Sequence, residues 1–160
     1  MNNGLRSDID SCLRVVSMAL DYGWKWTKGD AESFAHQAGW IVAPEFEGRS
    51  MHALLTNFDI QRPEATLHFS HGRLDRISFL VTDVVPSPGD EFGFLLDAFT
   101  ESSTELSEVL GDPTARFPGK RPIVRWDLET MRIDLTILGT AVSLSLNSPA
   151  YRKYMDDVDD

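Results

Sequence analysis

The stretch RWDLETMRIDLTILGTAVSLSLN leaves this chain few ways to fold. Three runs, Ile123–Leu128, Met131–Leu138 and Ala141–Asn147, are separated only by Glu129-Thr130 and Gly139-Thr140. Ile133, Leu135 and Ile137 alternate with polar residues, and so do Val142, Leu144 and Leu146. A period of two places each set on one face of a strand. Parallel neighbours need a crossover of about a dozen residues or more, and two-residue connections permit only antiparallel pairing. The runs therefore predict a three-stranded meander with one buried face.

A second hairpin is read in Thr66–Ser70 and Leu74–Thr82, which flank His71-Gly72-Arg73. Upstream, Pro44–Gly48 reads as a loop and Met51–Phe58 as extended structure. Two N-terminal helices precede these strands. Asp8 can cap the first, about Ile9 to Tyr22, where Ile9, Leu13, Val16 and Leu20 recur at helical spacing and Gly23 supplies an exit. Thr27 can cap the second, about Lys28 to Ala38, with Gly39 ending it.

Between the hairpin and the meander lies a long amphipathic helix. Asp90 can cap it, Gly111-Asp112-Pro113 ends it, and Phe92, Leu95, Leu96, Phe99, Leu106, Val109 and Leu110 form its apolar series. From Ile77 to Ala115 there is no Lys or Arg, whereas Asp83, Asp90, Glu91, Asp97, Glu101, Glu105, Glu108 and Asp112 are acidic. The expected architecture is a single α+β domain over residues 1–150. It has a single antiparallel sheet of about five or six strands, with two N-terminal helices and one long central helix packed on it. Asp156, Asp157, Asp159 and Asp160 make residues 151–160 an acidic, solvated C-terminal tail.

Charge narrows the function classes. The formal net charge is −10, and phosphate binding normally rests on a positive footprint, so a general nucleic-acid binder is not expected. A lone cysteine, Cys12, allows no intrachain disulfide. The N-terminal sequence has no basic segment followed by an apolar core, and no apolar run approaches the ~20 residues that span a bilayer. The expectation is a soluble cytoplasmic protein without a membrane partner.

No catalytic kit stands out. His36, His52, His68 and His71 fall in no metal-ligand spacing, and His68 and His71 read as exposed turn residues. Ser102, Ser103, Ser143 and Ser145 lack a nucleophile elbow, and Gly119-Lys120 lacks the rest of a phosphate loop. No metal, cofactor or catalytic residue is expected, and the reading is non-enzymatic. Lys120-Arg121, with Arg116 and Arg125, forms a local basic patch whose simplest role is pairing with the protein's own carboxylates. Trp24, Trp26 and Trp40 lie near helix ends, where packing is the simpler reading and an aromatic ligand pocket the alternative. The candidate partner-binding residues are Asp97, Glu101, Glu105 and Glu108, which fall on one side of the long helix and suit a basic protein partner.

The segments DYGWKWTKGDAESFAHQAGW, Leu110-Gly111-Asp112-Pro113-Thr114 and RWDLETMRIDLTILGTAVSLSLNSPAY carry a resemblance covering about Ile9 to Tyr151. The chain resembles a family of small actinobacterial domains of unassigned function, some associated with polymorphic-toxin systems as immunity proteins. The resemblance implies a non-enzymatic inhibitor that occludes a cognate toxin, and it transfers no catalytic residues. Two alternatives belong to other classes. One is a secretion chaperone or effector adaptor, and the other a small-molecule enzyme or sensor with a pocket near the Trp-rich helix ends.

Overall fold

The structure, a computed structural model, describes residues 4–42, 50–86 and 91–159. In chain order the elements are α1 (Ile9–Asp21), α2 (Lys28–Ala38), β1 (Ile41–Val42), β2 (Met51–Leu55), β3 (Glu64–Ser70) and β4 (Arg73–Leu80). They continue with α3 (Phe92–Leu110), β5 (Ala115–Phe117), β6 (Ile123–Asp127), β7 (Arg132–Leu138), β8 (Ala141–Asn147) and α4 (Pro149–Asp159). The Pro44–Gly48 loop and the Asp90 cap lie outside the described residues.

All the strands join one antiparallel sheet in the order β1-β2-β3-β4-β8-β7-β6-β5. The sheet is thus two meanders whose last strands meet at its centre. The α+β class and the single antiparallel sheet stand as expected. The count of five or six strands does not, because β1 and β5, of two and three residues, are too short to show alternation. Both lie at the sheet edges, where short strands present few unpaired groups.

Register fixes the two faces. Leu67 opposes Ile77, Ile77 opposes Leu146, Leu146 opposes Ile133, and Ile133 opposes Trp126. This apolar row and its parallel, Phe79, Leu144, Leu135 and Val124, build the core under α1, α2 and α3. Asp8 caps α1 by accepting from Ser11 N at 3.1 Å and also accepts from Asp59 N at 2.8 Å. Thr27 and Gly39 cap α2 at its two ends. Burial would raise the Asp8 carboxyl, but the Asp59 and Ser11 hydrogen bonds outweigh it and hold the group below its ordinary value.

Trp26 adopts φ 58° and its carbonyl accepts from Leu74 N at 3.0 Å, fastening the helical segment to the hairpin. A left-handed Trp costs about 1–2 kcal/mol. Burying ~150–250 Å² of indole at about 25 cal/mol per Å² contributes several times that, so packing wins. Trp24 stacks on Trp26 with centroids 4.5 Å apart, and Phe34 lies 5.0 Å from Trp24. The tryptophans therefore pack on aromatic neighbours. At the hairpin tip His71 and Gly72 have φ 52° and 75°, the pair of left-handed residues that a two-residue primed turn requires.

The fourth helix departs from the expected architecture. Ser148 Oγ accepts from Tyr151 N at 3.0 Å and Pro149 opens α4, a start signal that the aspartates beyond it obscured. The segment read as a solvated tail is thus helical over most of its length. It lies on the sheet face opposite the other helices, clipped there by Arg132. That guanidinium donates to both Asp127 oxygens at 2.6 and 3.2 Å and to both Asp156 oxygens at 2.9 and 3.1 Å.

α3 ends at Gly111, whose φ of 88° and ψ of −171° belong to a region essentially reserved for glycine. Its carbonyl accepts from Trp126 Nε1 at 3.0 Å, so the helix exit is tied to β6. A Cβ at Gly111 meets nothing within 4 Å, and neither does one at Gly93 in the first turn. Gly111→Ala is expected to lower stability by about 1–3 kcal/mol through backbone strain alone. Gly93→Ala should raise it by about 0.4–1 kcal/mol, both read by urea denaturation. Asp156→Asn should speed amide exchange selectively in α4; unchanged α4 protection would show that the Arg132 clip does not hold the helix.

Candidate functional site

The sequence-predicted acidic residues lie on one side of α3. Asp97, Glu101 and Glu108 are exposed and Glu105 is half-buried. At 100° per residue the four fall within about 80° of arc, so they form a ridge. Among the described residues none of the four carboxylates forms an ion pair. The apolar series behaves less uniformly than expected. Leu95 and Leu106 are fully buried and Phe92, Phe99 and Leu110 pack against the core, but Leu96 and Val109 are each 42% exposed. The helix buries Ala98, Ser102 and Ser103 in addition. At 100° per residue Leu96 and Val109 fall at opposite margins of the buried side, which leaves them partly exposed.

Asp83 and Asp112 of that stretch do not join the ridge. Asp83 is buried and accepts backbone hydrogen bonds from Arg6 at 2.9 Å and Gln61 at 2.6 Å, a structural role. Asp112 instead lines an open trough of about 470 Å³ beside α3, which ridge residue Glu108 borders and whose other wall carries Arg116.

The basic patch read from sequence is divided by the sheet. Arg116 opposes Val124 and shares the helix-covered side, while Arg125 opposes Ala115 and points the other way. Arg125 donates from Nε and Nη2 to Asp134 at 2.8 and 3.0 Å, the internal pairing expected of that patch. Arg121 is exposed and lines the same opposite face.

That face carries residues that strand alternation alone marks as outward polar positions. Its cross-strand rows are Arg76, Asn147, Arg132 and Asp127, then Ser78, Ser145, Asp134 and Arg125. α4 is clipped over the Arg132 end of the first row, while Arg76 and Asn147 line a groove together with the second row. Arg132, Asp134, Ser143 and Asn147 are buried there, so the alternation was legible but its second face is not simply solvent-exposed. Arg76 belongs to a different hairpin, and only the β4–β8 pairing brings it in.

His68 is half-buried on this face, contrary to the exposed-turn reading, and its Nε2 lies 3.2 Å from Arg76 Nη2. His71 is exposed at the turn, and His52 is buried with its ring 5.0 Å from Phe69. Burial, reinforced by the Asp8 charge, pushes the Cys12 thiol up to about 12, so it is not a nucleophile at neutral pH. Among the described residues no group of three or more His, Cys, Asp or Glu is arranged to hold a metal ion. No helix among them is long and apolar enough to cross a membrane.

The chain belongs to a family of unknown function (DUF6301), whose model matches residues 10–148. Among solved structures it is similar to the crystal structure of a DUF4309 family protein (YjgB) from Bacillus subtilis subsp. subtilis str. 168. The identity is 16%, over 78% of this chain and 79% of that one, with a TM-score of 0.42. No curated protein matches the chain. The resemblance drawn from sequence is therefore shown at the level of a family without an assigned function.

Burial first, and then the Arg76 charge, hold the His68 ring down to about 4, with Asp75 opposing. In the unfolded chain the same ring protonates near 6.5. Between those values the unfolded state binds more protons, so stability falls as pH falls. The His68 contribution is fully present above about pH 6.5 and is lost by about pH 4. His68→Gln, which keeps an acceptor for Arg76, should flatten that slope in denaturation series at pH 7, 6 and 5. A slope identical to wild type would mean that His68 titrates normally.

Proposed function

We propose that the protein is a non-enzymatic protein-binding domain, an immunity-type inhibitor that occludes the basic cleft of a cognate toxin. The observation that carries this reading is the α3 ridge. Asp97, Glu101 and Glu108 project into solvent without an ion-pair partner among the described residues, on a segment free of Lys and Arg from Ile77 to Ala115. Uncompensated carboxylates on successive turns repel one another modestly, by a few tenths of a kcal/mol per pair. A basic partner removes that repulsion and is steered onto the ridge by it.

Affinity needs more than charge, because rim charges act mainly on association rate while buried apolar anchors hold the complex. Exposed Leu96 and Val109 flank the ridge, and the trough beside it is open to a partner side chain. A toxin acting on phosphate-bearing substrates has a basic cleft rim, and an acidic ridge would mimic the substrate's charge there. The absence of Lys and Arg from the ridge also disfavours acidic partners, which gives selectivity by repulsion.

The test uses the intact chain as bait in its native host, then kinetics on the captured partner. Replacing Glu101, Glu105 and Glu108 together by Lys is expected to slow association at least about tenfold at low salt and to reduce its salt dependence. Affinity, association rate and salt dependence all equal to wild type would overturn the ridge as the docking surface. Capture of an unfolded segment in place of a folded toxin domain would favour a secretion chaperone or effector adaptor.

A further inference from the structure

We propose that the open polar face of the sheet is a binding groove for a small organic anion, a carboxylate or phosphate monoester carried on a compact apolar group. This site is on the opposite side of the sheet from the α3 ridge and does not depend on it. The groove has a volume of about 320 Å³, with α4 as one wall and the open strand rows as its floor. That volume is at the lower end of small-ligand pockets, roughly 300–1,000 Å³.

Three guanidiniums, Arg76, Arg121 and Arg125, line the groove against one carboxylate, Asp134. The Arg125–Asp134 pair is bidentate and cancels itself. Arg76 and Arg121 are left as a local positive charge in a protein of net charge −10. Arg76 is positioned rather than neutralised. Its Nη2 lies beside neutral His68 and its guanidinium lies 5.8 Å from the Tyr151 ring centroid, while its Nε is buried without a hydrogen-bond partner among the described residues. A held, planar, uncompensated guanidinium favours carboxylate or phosphate oxygens.

Asn147 supplies an independent indication. It is wholly buried and lines the groove. Its Nδ2 donates to Arg132 O and to Ser145 Oγ, both at 3.1 Å, yet its Oδ1 has no partner among the described residues. A buried acceptor left unpaired costs about 1–3 kcal/mol, which a ligand hydroxyl or N–H would remove. Ser78 adds a hydroxyl with no partner among the described residues, and Ile123, Leu138 and Met155 give an apolar wall.

Spacing limits the ligand's size. Arg76 on β4 and Arg125 on β6 are three strand steps apart, about 14 Å between backbones. That span and the volume of about 320 Å³ suit a compact molecule. A nucleic acid would need a continuous basic track, and the surrounding acidic surface offers none.

The experiment titrates the intact protein with benzoate and with phenyl phosphate, following backbone, Arg Nε–H and Asn147 side-chain amide signals by NMR, with benzyl alcohol as the neutral control. Either anion should give saturable shifts confined to β4, β6, β7, β8 and α4 with Kd of about 10 mM or tighter, and the tighter anion identifies the headgroup. Arg76→Gln should weaken binding at least about tenfold, and Arg121→Gln, in an exposed loop that does not threaten folding, at least about threefold. Arg116→Gln, on the other face, should change nothing. Arg76 and Asn147 are cross-strand partners, so they could instead satisfy each other. In that case no saturable shifts occur, and that result overturns the proposal. Equal response to benzyl alcohol, or unchanged binding in both Arg76→Gln and Arg121→Gln, overturns it as well.

Discussion

The pairing of β4 with β8 holds the two halves of this molecule together. Each half is a meander that could form locally, but neither encloses a core by itself. Ile77 against Leu146 and Phe79 against Leu144 join the apolar rows of both halves into one continuous surface, which the three upper helices then cover. A slip of one residue would place Arg76 and Ser78 beneath the helices and expose Ile77 and Phe79. The cost of burying an unpaired guanidinium makes that slip prohibitive. Register is therefore enforced twice, by apolar burial on one face and by charge on the other.

The same pairing separates what was legible in the sequence from what was not. Local signals served well. Asp8, Thr27 and Gly39 cap α1 and α2 where side-chain chemistry placed them, and the hairpin and terminal meander fall within a residue or two of the expected ends. Misses came where local signal is physically weak. Edge strands of two and three residues have no measurable period. The Ser148-Pro149 helix start was outweighed by a run of aspartates that reads as solvated. That reading gave no weight to Arg132, twenty-four residues upstream of Asp156, whose buried charge requires carboxylate partners.

Candidate sites divide along the same line. Asp97, Glu101, Glu105 and Glu108 lie on one helix, so helical periodicity alone assembles the ridge. The polar groove draws Arg76 from one half and Arg121, Arg125, Asp134 and Asn147 from the other, and no sequence window contains both. The sequence even suggested a different grouping, because Arg116, Lys120, Arg121 and Arg125 are neighbours along the chain. Strand alternation divides Arg116 from Arg125 across the sheet, so sequence proximity misleads.

Charge compensation on the polar face is graded, and the gradient marks where stability ends and binding chemistry begins. Arg132 is buried between two carboxylates. Burial would lower its pKa, but hydrogen bonds to Asp127 and Asp156 reverse that and raise it, so the guanidinium stays charged and clips α4 in place. Arg125 has one carboxylate, matched oxygen for nitrogen, and stiffens the sheet without covering it. Arg76 has none among the described residues and is held by the His68 ring and the Tyr151 face alone. The His68 ring and the Tyr151 face attract the Arg76 guanidinium, but neither cancels its charge, as a carboxylate would. The two paired arginines account for the architecture, and the third is the residue that the architecture leaves unexplained unless an anion meets it.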